Sequence, residues 1–217
     1  MSGTVRDAGL EDTRAVDILT TEHWSLLSTR SLGYQEMFGR TTIYVAILSG
    51  AVVALALVAE ATRFGRETLT AALLLIAVAL FVGLVTFARC VAINYEDARW
   101  VAGMGLLRQA YLEMVPGLAP YIVAAHGPKG DPDPLRHGSR QRLSALGASL
   151  TTTSGVVAVL NSVLAGSLAS DVAALLGATL SPLVLLGVAA SLVSAVLHVR
   201  YAARFRWRHA PNAHVPA

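Results

Sequence analysis

The sequence is short of charge. Asp, Glu, Lys and Arg make up 14% of its 217 residues, where soluble domains carry about 25%. The charges present are clustered, and four long stretches have none. A soluble fold would need charged helix faces in those stretches, so the deficit excludes an ordinary soluble domain. Cysteine is scarcer still: Cys90 stands alone, which excludes an intramolecular disulfide and a thiolate metal framework. There is no Walker loop, no dinucleotide glycine fingerprint, no HExxH and no G-x-S-x-G. Nothing in the pattern assembles a nucleophile, a base and an oxyanion site, so the expectation is a non-enzymatic protein without a cofactor or a metal. The net charge of +3 is too small to be a nucleic-acid footprint.

What is present is apolar sequence in lengths that fit a bilayer. About 20 apolar residues cross a ~30 Å hydrocarbon core. Thr41–Ala59 and Thr68–Ala88 are charge-free, and the short turn between them, holding Glu60, Arg63, Arg66 and Glu67, forces an antiparallel hairpin. A third span is expected within Leu143–Ser170 and a fourth between Leu175 and Leu197, with Asp171 in the turn. The predicted fold class is therefore all-α: a polytopic membrane protein with four transmembrane helices as two hairpins, plus amphipathic cytoplasmic helices. The rival is a two-span protein whose second apolar pair lies in a soluble bundle. The length of the charge-free stretches argues against it.

The expected organisation has five parts. Residues 1–40 form an N-terminal tail and an amphipathic helix from near Thr20, with Gly33 and Gly39 as bend points. Residues 41–88 are the first hairpin. Residues 89–142 hold a helix that leaves the membrane, ending at Pro116 and Gly117, and a Pro/Gly linker. Residues 143–199 are the second hairpin, and 200–217 a basic tail. No short apolar run near Met1 precedes a cleavage site, so the first span is expected to serve as an uncleaved anchor. Of the 17 Lys and Arg, 15 flank the termini and the middle loop and two lie between spans one and two. Cytoplasmic loops carry the positive excess. Both termini are thus expected on the cytoplasmic side of a bacterial inner (plasma) membrane.

Candidate sites divide between the spans and the region beneath them. Small residues recur every fourth position at Ala46, Gly50 and Ala54, at Ser162, Gly166 and Ser170, and at Gly187, Ser191 and Ala195. Such faces let helix backbones approach closely, within one bundle or between copies of a homo-oligomer. Asn161 is the one carboxamide in the middle of a span, and an amide in hydrocarbon needs a partner. Asn161, Ser162, Gly166, Gly50 and Gly187 are thus the helix-packing or pore-lining candidates. No span has a charge at its centre, which argues against an ion-coupled transporter or a pump but leaves a passive pore open. The leading expectation is a homo-oligomeric pore or membrane effector, and the alternative is a membrane-anchored scaffold or sensor that recruits a cytoplasmic partner through residues 20–40 and 90–115.

Outside the spans, Ile93, Trp100, Leu107 and Met114 are seven apart, with Met104 and Tyr111 four after Trp100 and Leu107. That apolar seam faces the N-terminal helix, and Leu27, Tyr34 and Phe38 are expected to meet Trp100, Leu107 and Tyr111. Trp24, Leu27, Tyr34, Trp100, Met104, Leu107 and Tyr111 form a candidate docking seam for a cytoplasmic protein partner. His198 reads as an interfacial histidine, Cys90 as an inert juxtamembrane thiol, and His126, Asp131, Asp133 and His137 as part of a solvated linker rather than a metal site.

The stretch LTTEHWSLLSTRSLGYQEMFGRTTIYVAILSGAVVALALVAEA, followed by INYEDARWVAGMGLLRQAYLEMVP, resembles a set of uncharacterised bacterial multi-span membrane proteins in which similar TEHW-LL-RSL and ED-RWV-GM-LR-AY patterns flank the first hairpin. The resemblance covers roughly the first 120 residues and implies a membrane protein, with no catalytic or ligand residues. In layout alone, a pre-helix, a two-span hairpin and a long following helix are similar to SLATT-type two-span effector modules. The second hairpin departs from that layout.

Overall fold

The structure, a computed structural model, describes residues 13–122 and 152–209. It is all-α. Helix α1 runs Thr13–Ala61, α2 Arg66–Met114, α3 Thr153–Leu175 and α4 Leu180–His209, with a 3-10 turn at Pro116–Tyr121. Each of the four helices is long and apolar enough to cross a membrane, so by helix length and hydropathy this is a multi-pass membrane protein. The linker with His126, Asp131, Asp133 and His137, residues 143–151 of the third expected span and the end of the basic tail lie outside the described residues.

The helices begin and end differently from the sequence expectation. α1 starts at Thr13, seven residues before Thr20, and Gly33 and Gly39 do not interrupt it. Asp171 lies inside α3 rather than in a turn. The real stop is Gly177, whose φ is +82°. The Gly177 N–H bonds to Ala174 O at 3.0 Å and the Ala178 N–H to Ala173 O at 3.0 Å, which ties off the last carbonyls. α1 ends in the same way with a less suitable residue: Arg63 takes the left-handed position at φ 48°, and the Phe64 N–H reaches Ala59 O at 2.9 Å. At the start of α3, the Thr152 side chain caps the Gly155 N–H at 3.2 Å.

Several hydroxyls within the helices bond back to their own helix. Thr41 Oγ1 donates to Met37 O at 2.8 Å, and Ser162 Oγ to Ala158 O at 2.7 Å. Such back-bonding suits a medium that offers no water. Large apolar side chains point outward along all four spans, including Val52, Phe81 at 67% exposed, Leu185 at 70% and Leu192. The second hairpin carries as much of this apolar exterior as the first, which a soluble bundle would have to hide.

The chain divides into two units. One holds α1 as far as Tyr34 and α2 from Asn94 onward. There Arg30 Nε donates to Asp97 Oδ1 at 2.6 Å and the Tyr34 hydroxyl to Asp97 Oδ2 at 3.1 Å. The His23 and Tyr111 rings lie 6.1 Å apart, Leu26 packs on Gly103, and Met104 is buried. The facing residues are therefore His23, Leu26, Arg30 and Tyr34. Trp24 and Leu27 are exposed, and Phe38, in the second unit, is exposed as well. The reason is chemical. The contact stripe contains a histidine and an arginine with partners across the seam, so an apolar-only heptad selects the neighbouring face.

The second unit holds Gln35–Ile93 of α1 and α2 together with α3 and α4. Tyr44, Ala79, Phe87, Val91, Val157 and Leu164 form its core. Small residues join α3 to α4: a methyl on Gly166 would strike Ser191 and Gly187, and one on Gly187 would strike Ser170. Ser170 Oγ also donates to Leu183 O at 3.2 Å. The small faces of α3 and α4 are therefore used against each other.

Candidate functional site: a polar node and an adjoining groove

The second unit buries one polar group from each of three helices at a single point. The Tyr44 hydroxyl of α1 donates to Asn161 Oδ1 of α3 at 2.9 Å, and Asn161 Nδ2 lies 3.3 Å from His198 Nε2 of α4. His198 Nδ1 sits 2.7 Å from Ser194 O, one turn back on the same helix. A carbonyl only accepts, so Nδ1 carries the proton and Nε2 is left to accept from Asn161. Every donor then faces an acceptor in one direction: Tyr44 to Asn161 to His198 to the Ser194 carbonyl. Tyr44 and Asn161 have no exposure, and His198 is 5% exposed.

Helix α2 closes the node with Gly83 and Phe87. A methyl at Gly83 would run into the Asn161 carboxamide and the Tyr44 ring. The Phe87 ring meets His198 edge-on, centroids 4.5 Å apart. All four helices thus converge on Asn161. The node also lies nearer one end of the bundle than its middle: Tyr44 is one turn past Arg40, and Arg200 is two residues past His198.

At that end, Glu36 receives Arg89 through both oxygens, Nε to Oε1 at 2.9 Å and Nη2 to Oε2 at 2.8 Å, and Arg40 Nε at 2.9 Å. The two guanidinium groups, Arg89 first and then Arg40, hold the Glu36 carboxyl down at about 2. Cys90 is wholly buried beside Thr41 rather than presented at a surface. At the opposite end, Arg66 Nη2 donates to Leu175 O, the C-terminal carbonyl of α3, at 3.2 Å. Asp171 is buried, and its Oδ2 has no partner among the described residues.

Beside the node, α2 and α4 part to leave a groove of about 850 Å³. Leu84, Phe87 and Ala88 line one wall, and Leu197 and Phe205 the other. Arg200, Tyr201 and Arg204 stand on its α4 side. His198 also borders it, so one edge of the buried relay faces this groove.

Of the span candidates, Asn161, Ser162, Gly166 and Gly187 all sit in helix–helix contacts. Gly50 does not: a methyl there would meet nothing. Of the docking candidates, Met104 is buried, Trp100, Leu107, Tyr34 and Tyr111 are half-buried, and Trp24 and Leu27 are open. Sequence reading missed Tyr44 and Gly83 and took His198 for an interfacial residue. The spacing of 37 residues from Asn161 to His198, and of 117 back to Tyr44, carries no local signal. Among the described residues no cluster of His, Cys, Asp and Glu is placed to hold a metal ion. No family model, no curated protein and no solved structure matches the chain.

Proposed function

We propose that this multi-pass protein is a non-enzymatic, membrane-anchored scaffold or sensor that recruits a protein partner through its first unit. The observation that carries the reading is Trp24. It is 64% exposed, and Val16 and Leu27 are exposed on the same face of α1. An open indole flanked by aliphatic residues, on a helix segment rich in charge and hydroxyls, is the composition of a protein-binding patch. The node supports the non-enzymatic part of the reading, because its polar atoms are engaged with one another rather than turned toward a substrate. The 15-to-2 division of basic residues supports placing this unit, and both termini, on the cytoplasmic side of a bacterial inner membrane.

The test is capture of cross-linked partners by the full-length protein in native membranes. Trp24→Ala with Leu27→Ala is expected to remove specific partners while the protein stays in the membrane fraction. An unchanged partner set would end the scaffold reading. A reporter fused after Ala217 is expected to read as cytoplasmic.

A second reading is a homo-oligomeric pore or membrane effector, and Gly50 favours it. With Ala46 exposed beside it, Gly50 leaves open backbone on the outer face of α1, a surface suited to a second copy. Ion flux in liposomes, together with cross-linked species larger than a monomer, would support this reading. Absence of both would dismiss it.

A further inference from the structure

We propose that the groove between α2 and α4 is a binding site for an anionic phospholipid, with the phosphate held by Arg200 and Arg204 and an acyl chain lying on the apolar walls. The argument begins with depth. From Leu180 to Val199, α4 carries no charge. At ~1.5 Å per residue that run is roughly 30 Å long, the thickness of the hydrocarbon core. Arg200 and Arg204 therefore arrive where phosphates lie.

They also arrive on one face. Four residues apart on a helix, the two side chains project side by side, and both border the groove. Both are exposed, and no carboxylate pairs with either among the described residues. This separates them from Arg30, Arg40 and Arg89, each of which has an acidic partner. Two adjacent guanidinium groups offer a fork of donors that matches a phosphodiester. Tyr201, between them in sequence and 5.9 Å from the Phe87 ring, suits the boundary between headgroup and chain.

The remaining wall is what a hydrocarbon chain needs. Leu84 and Leu197 are exposed, and Phe87 and Phe205 add an aromatic ring to each wall. A free phosphate has no use for that wall, and a neutral lipid has no use for two guanidinium groups that meet no carboxylate among the described residues. The combination selects a lipid that has both parts. The site is independent of the Trp24 patch, and either assignment can fail without the other.

The experiment uses the full-length protein in detergent, titrated with phosphatidylglycerol or phosphatidylcholine and read by native mass spectrometry. Phosphatidylglycerol is expected to bind at least tenfold more tightly. Arg200→Gln with Arg204→Gln should bring the two lipids within about twofold, whereas Arg63→Gln with Arg99→Gln, which removes the same charge elsewhere, should keep the preference. Ala88→Trp fills the trough and leaves both arginines, and it should also lose the preference. Glycerol 3-phosphate, the headgroup without chains, should not compete. Equal binding of the two lipids, a preference that survives in the arginine or the trough variant, its loss in the Arg63/Arg99 control, or competition by glycerol 3-phosphate would each overturn the assignment.

Discussion

The Tyr44 hydroxyl donates to the Asn161 carboxamide oxygen at 2.9 Å, from a position with no exposure to its surroundings. That bond joins the first hairpin to the second, and removing either partner has a different cost. Tyr44→Phe loses one interhelical bond and leaves the buried Asn161 Oδ1 without that donor, a single orphan at about 1–3 kcal/mol. Asn161→Ala orphans both the Tyr44 hydroxyl and His198 Nε2, at ~1–3 kcal/mol each. Unfolding titrations in mixed micelles should rank the variants in that order. A Tyr44→Phe protein less stable than Asn161→Ala would contradict the relay.

Gly83 and Gly50 make a matched pair. Both sit in spans, and alanine at either gains about 1 kcal/mol of helix propensity. Gly83→Ala must push aside a carboxamide held at both ends, so it should destabilise by about 2 kcal/mol or more. Gly50→Ala meets open space and should leave the monomer as stable or slightly more so. Thermal melts of the two variants in one detergent check this directly. Gly83→Ala tolerated without loss would show that the node is looser than described.

Glu36 sets an acid limit. Its carboxyl is held at about 2 against an ordinary 4.5, first by Arg89 and then by Arg40. A depressed acid contributes stability that is complete above its unfolded value and is lost as pH falls through its folded one. The gap between wild type and Glu36→Gln should therefore be constant above pH ~4.5 and shrink between there and about 2. About a third of the side chain is exposed, so the gap will be modest. Melting temperatures of both proteins from pH 7 to 2 decide it, and a gap constant over the whole range would rule the ion pair out as its source.

The turn of the first hairpin offers a gain. Arg63 occupies a left-handed position that glycine fills at the end of α3. Arg63→Gly should stabilise by ~1 kcal/mol, and Gly177→Ala should cost about as much. Opposite signs in a single melting experiment confirm the pair, and equal signs refute it.

Charge-free length and turn chemistry made four spans legible, because a bilayer imposes both on any chain that crosses it. The small-residue faces of α3 and α4 were legible for the same reason: Gly166 and Gly187 matter through what they lack. Tyr34, Met104 and Tyr111 lie in the contact between α1 and α2, whereas Leu27 and Phe38 are exposed, because Arg30 and Asp97 look like solvent groups in the sequence and in fact pair across it. A lone charge suggests a turn at Asp171, yet the helix continues past it and stops at Gly177, whose left-handed conformation is not visible in the residue order. Asn161 was visible as a group in need of a partner. Which partner it takes depends on how the hairpins dock, and that information is distributed over Tyr44, Gly83 and His198.

The order of those residues along the chain has a consequence for assembly. Tyr44 and Gly83 enter the bilayer first, and Asn161 follows with His198 on the second hairpin. Until the two hairpins meet, the Asn161 carboxamide oxygen and the Tyr44 hydroxyl each lack the partner they take in the docked bundle, at a cost of about 1–3 kcal/mol each. A chain whose halves have not docked therefore carries its own mark of incompleteness, and only the correct docking erases it. The bond that fixes the finished bundle therefore also favours docked hairpins over separate ones.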